Sequence, residues 1–272
     1  MLLWQGIALA AVLAALGAGV SLATDHAWRR EPQLGPYVVA GGALLVTGLV
    51  LGRLLLSGHL VGTRLRALRR AHREQVDLLA RRHADWGPGE SGRAVNDLRI
   101  LDHDLPVAYC VPGLHRSRVV VSAGTLSRLG DAEVHAVLAH ERAHLRARHD
   151  LVLEAFSVLH RAFPRWVSSA AALHEVRLLA EVLADRAAVR EVADGRGSLG
   201  RALVELAESG ATAPGAGVSL AAAEGPSDLL IRIRLLADRR RHRMQAAVLT
   251  VLALAVVALP TAFVVMPWLV AL

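Results

Sequence analysis

Cys110 is the only cysteine in the chain, so no internal disulfide can form, which agrees with a compartment that keeps thiols reduced. Lysine is absent altogether, and the 31 basic residues are all arginine. With the abundance of Ala, Leu and Gly, this bias points to a high-GC, bacterial genome and carries no functional signal. Charge is missing from the whole run Leu2 to Ala23, and no Lys or Arg precedes it. The missing positive flank argues against a cleaved signal peptide and for an uncleaved membrane anchor. No internal repeat is present.

What the chain has in excess is apolar surface. Of its 272 residues 54% are hydrophobic and the mean hydropathy is +0.40, with the apolar residues gathered at the two ends. Three stretches are long enough to cross a bilayer: about 2–23, 37–56 and 246–265. Arg53 lies near the edge of the second, where it can snorkel. Arg64, Arg66, Arg69, Arg70 and Arg73 follow the second span, and Arg232, Arg234, Arg239, Arg240, Arg241 and Arg243 precede the third. By the rule that positive flanks stay inside, the region between them is expected in the cytoplasm, against a weak dissent from Arg29 and Arg30. The net charge of +7 and pI near 11.1 raise nucleic acid as a partner. Because the arginines concentrate beside the spans, the lipid bilayer is the nearer partner, and no direct nucleic-acid binding is expected.

The region between the spans holds His140-Glu141-Arg142-Ala143-His144. On a helix this sets two imidazoles one turn apart on one face, with a carboxylate beside them, the outline of a zinc-hydrolase site. The helix is supported by Gly130 and Asp131 as stop and N-cap, by Glu133 in the first turn, and by Val134, Val137, Leu138 and Leu145 at helical spacing. Glu141 is then the candidate general base, able to take a proton from a water that zinc acidifies and to pass it to a leaving amine. The alternative is an Arg/His-rich solvated helix that matches by accident.

Two imidazoles leave a catalytic zinc one protein ligand short, and two candidates exist. Asp150, beside His149, stands where some zinc proteases place a third ligand after a sharp turn at a glycine. Here that position is Ala147, so the helix is expected to run straight on and carry Asp150 away. The second candidate is Glu181, on a further helix capped by Ser168 or Ser169 and set apart by Pro164. Its apolar stripe is Leu173, Val176, Leu179, Leu183 and Ala187, and Gly195 ends it. Asp185 lies one turn beyond Glu181, where it suits a carboxylate accepting a hydrogen bond from a ligand histidine. Taken alone, Glu181 and Asp185 also read as a solvated face. The upstream pair tips the balance towards a metal site.

The resemblance to a known family rests on Val137 to Leu145 followed by Arg148-His149-Asp150-Leu151, on the preceding Val119 to Leu126, and on Glu181 with Asp185. These segments resemble the BlaR/MecR-type membrane metallopeptidases, peptidase family M fifty-six. The related HtpX-like and CAAX-protease-type peptidases, family M forty-eight, share the Glu-to-Asp spacing. They often carry two spans before that Glu, for which residues 151–180 are too polar. The resemblance covers about residues 95–240. It implies that His140, His144 and Glu181 bind Zn2+, that Glu141 is the base and that Asp185 supports a ligand histidine; no other cofactor is implied. Tyr109, His174 and Arg186 are candidate donors to a tetrahedral intermediate. Arg118 to Ser122 is a candidate edge strand for pairing with substrate backbone.

The expected fold is a mostly α integral membrane protein: three transmembrane helices with a cytoplasmic, gluzincin-like zinc peptidase domain made of a helical core and a small β-sheet. Residues 1–58 form the hairpin, 59–94 a basic juxtamembrane helix and Pro/Gly linker, and 95–210 the peptidase domain. Residues 211–243 form a mobile loop and an amphipathic basic helix capped by Ser227, and 244–272 the last span. Strands are expected at 98–101, 106–111 and 118–121, the latter two joined by a turn through Pro112 and Gly113.

The resemblance implies regulated proteolysis of a cytoplasmic target such as a transcriptional repressor. HtpX-like quality control of membrane proteins and a non-catalytic zinc-binding scaffold are the alternatives. The chain ends soon after its third span, so direct sensing of a β-lactam is not expected, and a signal would arrive through a sensor protein or the membrane.

Overall fold

A computed structural model describes residues 2–27, 34–82, 98–113, 117–163, 170–209, 218–219, 226–238 and 243–270. Nine helices and five strands are seen among them. The expectations that rest on Arg29 and Arg30, the Pro/Gly linker, Pro164, Ser168 and Ser169, most of the 211–225 loop, and Arg239 to Arg241 lie outside the described residues. The chain divides into two compact units, 1–59 with 158–172 and 240–272, and 60–157 with 173–239.

The first unit holds α1 (Leu2–Ala27), the N-terminal half of α2 (Leu34–Leu79), the end of α5 (His149–Ala162), the start of α6 (Ala170–Glu191), and α9 (Arg243–Val270). Three helices are long and apolar enough to cross a membrane, over Leu3–Leu22, Tyr37–Leu79 and Met244–Ala262. Small residues let them approach closely. A Cβ on Gly6 would come within 3.0 Å of the Ala253 carbonyl, and one on Gly19 within 1.7 Å of the Thr47 hydroxyl. Elsewhere these helices present side chains such as Val38, Leu45 and Leu254 outward, as lipid-facing surfaces do. The expected span and juxtamembrane helix are one continuous helix, α2. Arg53 does not snorkel freely: its Nε donates to the Ala162 carbonyl at 2.9 Å, and Ser57 Oγ donates to the Val158 carbonyl at 2.9 Å.

The second unit is built on a five-stranded sheet: β1 (Arg81–Arg82), β2 (Leu98–Leu101), β3 (Ala108–Val111), β4 (Arg118–Ser122) and β5 (Val218–Ser219), in the order β1-β2-β4-β3-β5. Only the β2–β4 pair is parallel. The expected edge strand, Arg118 to Ser122, is instead central, flanked by β2 and β3, and cannot receive a substrate strand. Its three consecutive valines fit that place, since a strand covered on both faces needs apolar residues at every position.

Alternation sorts the sheet into two faces. Leu98, Ala108, Val119 and Val121 pack with Val134, Val137 and Leu138 of α4 (Asp131–Ala147) and with Leu199, Ala202, Leu203 and Leu206 of α7 (Gly195–Glu208). Tyr109, Val111 and Val120 pack on the other face with Val76 of α2. Between β4 and α4 lies the short α3 (Ala123–Arg128), entered through Ser122, whose hydroxyl caps the Thr125 N–H. Gly124 has to be glycine: an added Cβ would sit 2.0 Å from the Asp104 carbonyl oxygen.

The helix α4, which carries His140 and His144, starts at Asp131 with Gly130 as N-cap, and Glu133 accepts from the Gly130 N–H at 3.0 Å. It does not run on to Asp150. The helix stops at Ala147, Arg148 takes a left-handed conformation (φ 51°, ψ 42°), and α5 begins at His149. The turn expected to need glycine at 147 is made one residue later by an arginine.

The buried face of α6 also differs from the expected stripe. Of that stripe Val176 is buried and Leu183 is exposed, and the other buried positions are Leu178, Ala180, Glu181, Val182, Ala184, Asp185 and Ala188. Alanines, Val176, Leu178 and Val182 surround the two carboxylates on the inward side, which serves a polar centre. Finally, α8 (Pro226–Ala237) starts on Pro226, a residue suited to a first helical position, and Ser227 lies within the helix.

Candidate metal centre

His140 and His144 project from successive turns of α4, and their Nε2 atoms face each other at 3.0 Å. Glu181 of α6 completes the group, with Oε2 3.3 Å from His140 Nε2 and Oε1 3.4 Å from His144 Nε2. All three side chains are buried, and their ligand atoms lie within 4.8 Å of one another. Donors about 2.0–2.1 Å from a tetrahedral ion stand roughly 3.3 Å apart, so these separations fit a single metal ion. Asp150 is not among them. It pairs with Arg69 at 3.5 Å and lies 3.6 Å from Arg148 Nε.

Glu141 follows His140 and is fully buried; its two oxygens accept from no N–H or O–H among the described residues. The Cys110 thiol of β3 lies against it. Burial raises the pKa of Glu141, opposed in part by the two histidines. Burial likewise raises that of Cys110 well above its usual value, with Glu141 adding to the rise. Buried with the Cys110 thiol beside it, the Glu141 carboxyl is favoured in its protonated form.

Behind each histidine stands a partner. Asp185 Oδ1 lies 2.9 Å from His140 Nδ1, which leaves Nε2 free to face the metal position. On the other ring, His144 Nδ1 and His149 Nδ1 are 3.0 Å apart, with the rings edge to face. Burial opposes charge on His140, but Asp185 and Glu181 outweigh it and push its pKa up to about 9. His149 goes the other way, down to about 4, through burial and then the nearness of His144. A neutral His149 can accept the His144 Nδ1 proton and so fix the tautomer that aims His144 Nε2 at the metal.

The sequence reading missed Arg232. It was counted among the arginines flanking the third span, yet it is buried on α8 and clamps Asp185 with two hydrogen bonds, Nε to Oδ2 at 2.9 Å and Nη2 to Oδ1 at 2.8 Å. Its Nη1 also lies 3.2 Å from Glu181 Oε2. Burial would raise the pKa of both carboxylates. Arg232 and the histidines reverse this, holding Glu181 well below the usual range and Asp185 below its own. The signal available in the sequence was spacing: Asp228 and Arg232 lie one turn apart on an amphipathic helix, the same step that separates Glu181 from Asp185.

The three candidate oxyanion donors do not join the centre. Tyr109 points to the opposite sheet face, its hydroxyl 3.0 Å from His72 Nε2. His174 is exposed and pairs with the buried Asp228 at 3.4 Å. Arg186 is exposed on α6.

A helix-borne pair of histidines closed by a carboxylate from a second helix, in a chain with three apolar helices, defines a membrane-associated metallopeptidase. The chain matches the family described as BlaR1 peptidase M56 over residues 32–236, more than half of its length, and it belongs to that family. No curated protein and no solved structure matches it.

Proposed function

We propose that the protein is a membrane-anchored zinc endopeptidase with its active site on the cytoplasmic side, acting in regulated proteolysis of a cytoplasmic target such as a repressor. The observation that carries this reading is the convergence of His140, His144 and Glu181 beside the fully buried Glu141. Two imidazoles and one carboxylate are a donor set suited to zinc. Zinc bound there supplies Lewis acidity that polarises a peptide carbonyl and acidifies water. Glu141 takes the proton of the attacking water and delivers it to the leaving amine. Asp185, held by Arg232, orients His140, and His149 orients His144.

His140 and Glu141 expose no surface, and Glu181 only 6%. Access of a polypeptide to Glu141 is thus the step that a signal would control. A closed resting site supports a protease released by a signal over one that cleaves damaged proteins continuously.

The test compares new protein N-termini in cells expressing wild type or Glu141→Gln, with and without a cell-wall antibiotic. One target cut only under the signal and only with Glu141 is the expected result. Many membrane-protein fragments would point to quality control. No difference, with metal content unchanged, would point to a scaffold.

A further inference from the structure

Away from the metal centre the second unit holds a cavity of about 820 Å³ lined by six arginines and four carboxylates. Arg66, Arg69, Arg70 and Arg73 come from α2, Arg118 from β4, and Arg148 from the left-handed corner between α4 and α5. The acids do not neutralise them. Asp77 is shared by Arg118, at 2.9 Å, and Arg99, at 3.0 Å. Arg69 takes up Glu154 at 3.1 Å and Asp150 at 3.5 Å. Arg70 and Glu74 pair only at the exposed rim.

Arg73 donates to the Pro112 carbonyl at 2.6 Å and Arg148 to the Gly113 carbonyl at 3.1 Å, while Arg148 Nε lies 3.6 Å from Asp150 Oδ1, an ion pair too long to be a hydrogen bond. Arg66 makes no ion pair among the described residues. Each guanidinium has five N–H groups, so most of these donors remain to be used. The Arg148 Nε is buried without a hydrogen-bond partner among the described residues.

We propose that this cavity is an anion site that takes a phosphate group, either from the headgroup of an anionic phospholipid or from a soluble phosphate compound. Converging guanidinium forks match the oxygens of a phosphate. The volume suits one headgroup or small molecule and excludes a nucleic-acid duplex. The α2 arginines stand on the same continuous helix as the apolar stretch Tyr37–Leu56, where juxtamembrane basic residues meet anionic lipid. The site also touches the catalytic helix: Arg148 ends α4, and the next residue, His149, contacts His144. Filling the cavity therefore braces the corner that sets the His144 ring.

The test titrates purified full-length protein in a non-ionic detergent with dioctanoyl phosphatidylglycerol, dioctanoyl phosphatidylcholine and inorganic phosphate, reading bound mass by native mass spectrometry. Saturable binding of phosphatidylglycerol over phosphatidylcholine is expected, weakened about tenfold or more in Arg66→Gln/Arg73→Gln and unchanged in Arg196→Gln, an exposed arginine of α7. Arg66→Gln alone, which breaks no internal pair, should weaken binding several-fold and guards against misfolding of the double variant. Saturable binding of inorganic phosphate with the same arginine dependence, but no preference between the lipids, upholds the site and makes its ligand soluble. Equal binding of both lipids without phosphate binding, or binding indifferent to Arg66 and Arg73, overturns the proposal.

Discussion

At the residue scale the centre depends on a chain of buried contacts, Arg232 to Asp185 to His140, that holds one ligand ring in place. Removing Arg232 leaves a buried carboxylate uncompensated and the ring unsupported. Arg232→Met is expected to weaken zinc binding by about 10- to 100-fold, read by competition with a chelator, and Asp185→Asn should do the same. The acids and His140 also predict how the metal-free protein responds to pH. Glu181 and Asp185 have depressed folded pKa values, so their stabilisation is complete above the ordinary carboxylate range, near pH 4, and is lost as pH falls through the folded values. His140 is raised to about 9, so its contribution is complete below the ordinary histidine value and is lost as pH rises towards 9. Thermal melting of chelator-treated protein should therefore show a plateau that falls away on both sides, and Asp185→Asn should flatten both shoulders.

The adjacency of His140 and His144 was legible because a helix brings residues four apart together, whatever the rest of the fold does. Arg232 and His149 were not. Near a membrane span an arginine is ordinarily a solvated flank, and only the fold, which brings Arg232 of α8 onto Asp185 of α6, turns this one inward.

Among the elements, α4 could be read from its caps and periodicity, but its end could not. Arg148 adopts φ 51° at a position where sequence offers no glycine signal. Strand positions were readable, whereas strand order was not. The parallel β2–β4 pairing joins segments about 20 residues apart and moves the expected edge strand to the middle. The inward face of α6 was misread because apolar periodicity marks the face most buried only where the core is apolar.

Gly124→Ala drives a Cβ into the Asp104 carbonyl and should cost about 2 kcal/mol or more, seen as a lower melting temperature. Glu133→Ala removes the acceptor of the Gly130 N–H and of Arg201, and should cost about 1 kcal/mol. A neutral result for Glu133→Ala would mean that the start of α4 is held by its packing alone.

For the whole molecule, composition alone located three apolar helices, and their packing through Gly6 and Gly19 fits a membrane setting. Arg232 is taken up by Asp185 and does not serve as a positive flank, but Arg64 and Arg70 remain exposed beyond the apolar part of α2. Alkaline phosphatase fused after Leu272 should be active, since it matures only outside the cytoplasm. An inactive but intact fusion would reverse the proposed orientation.

The central claim is that His140, His144 and Glu181 hold a metal which Glu141 serves without ligating. It is tested most directly by zinc content per chain in purified wild type, Glu141→Gln and Glu181→Ala. About one zinc is expected in the first two and a large loss in the third. Zinc retained in Glu181→Ala, or lost in Glu141→Gln from a folded protein, would contradict it.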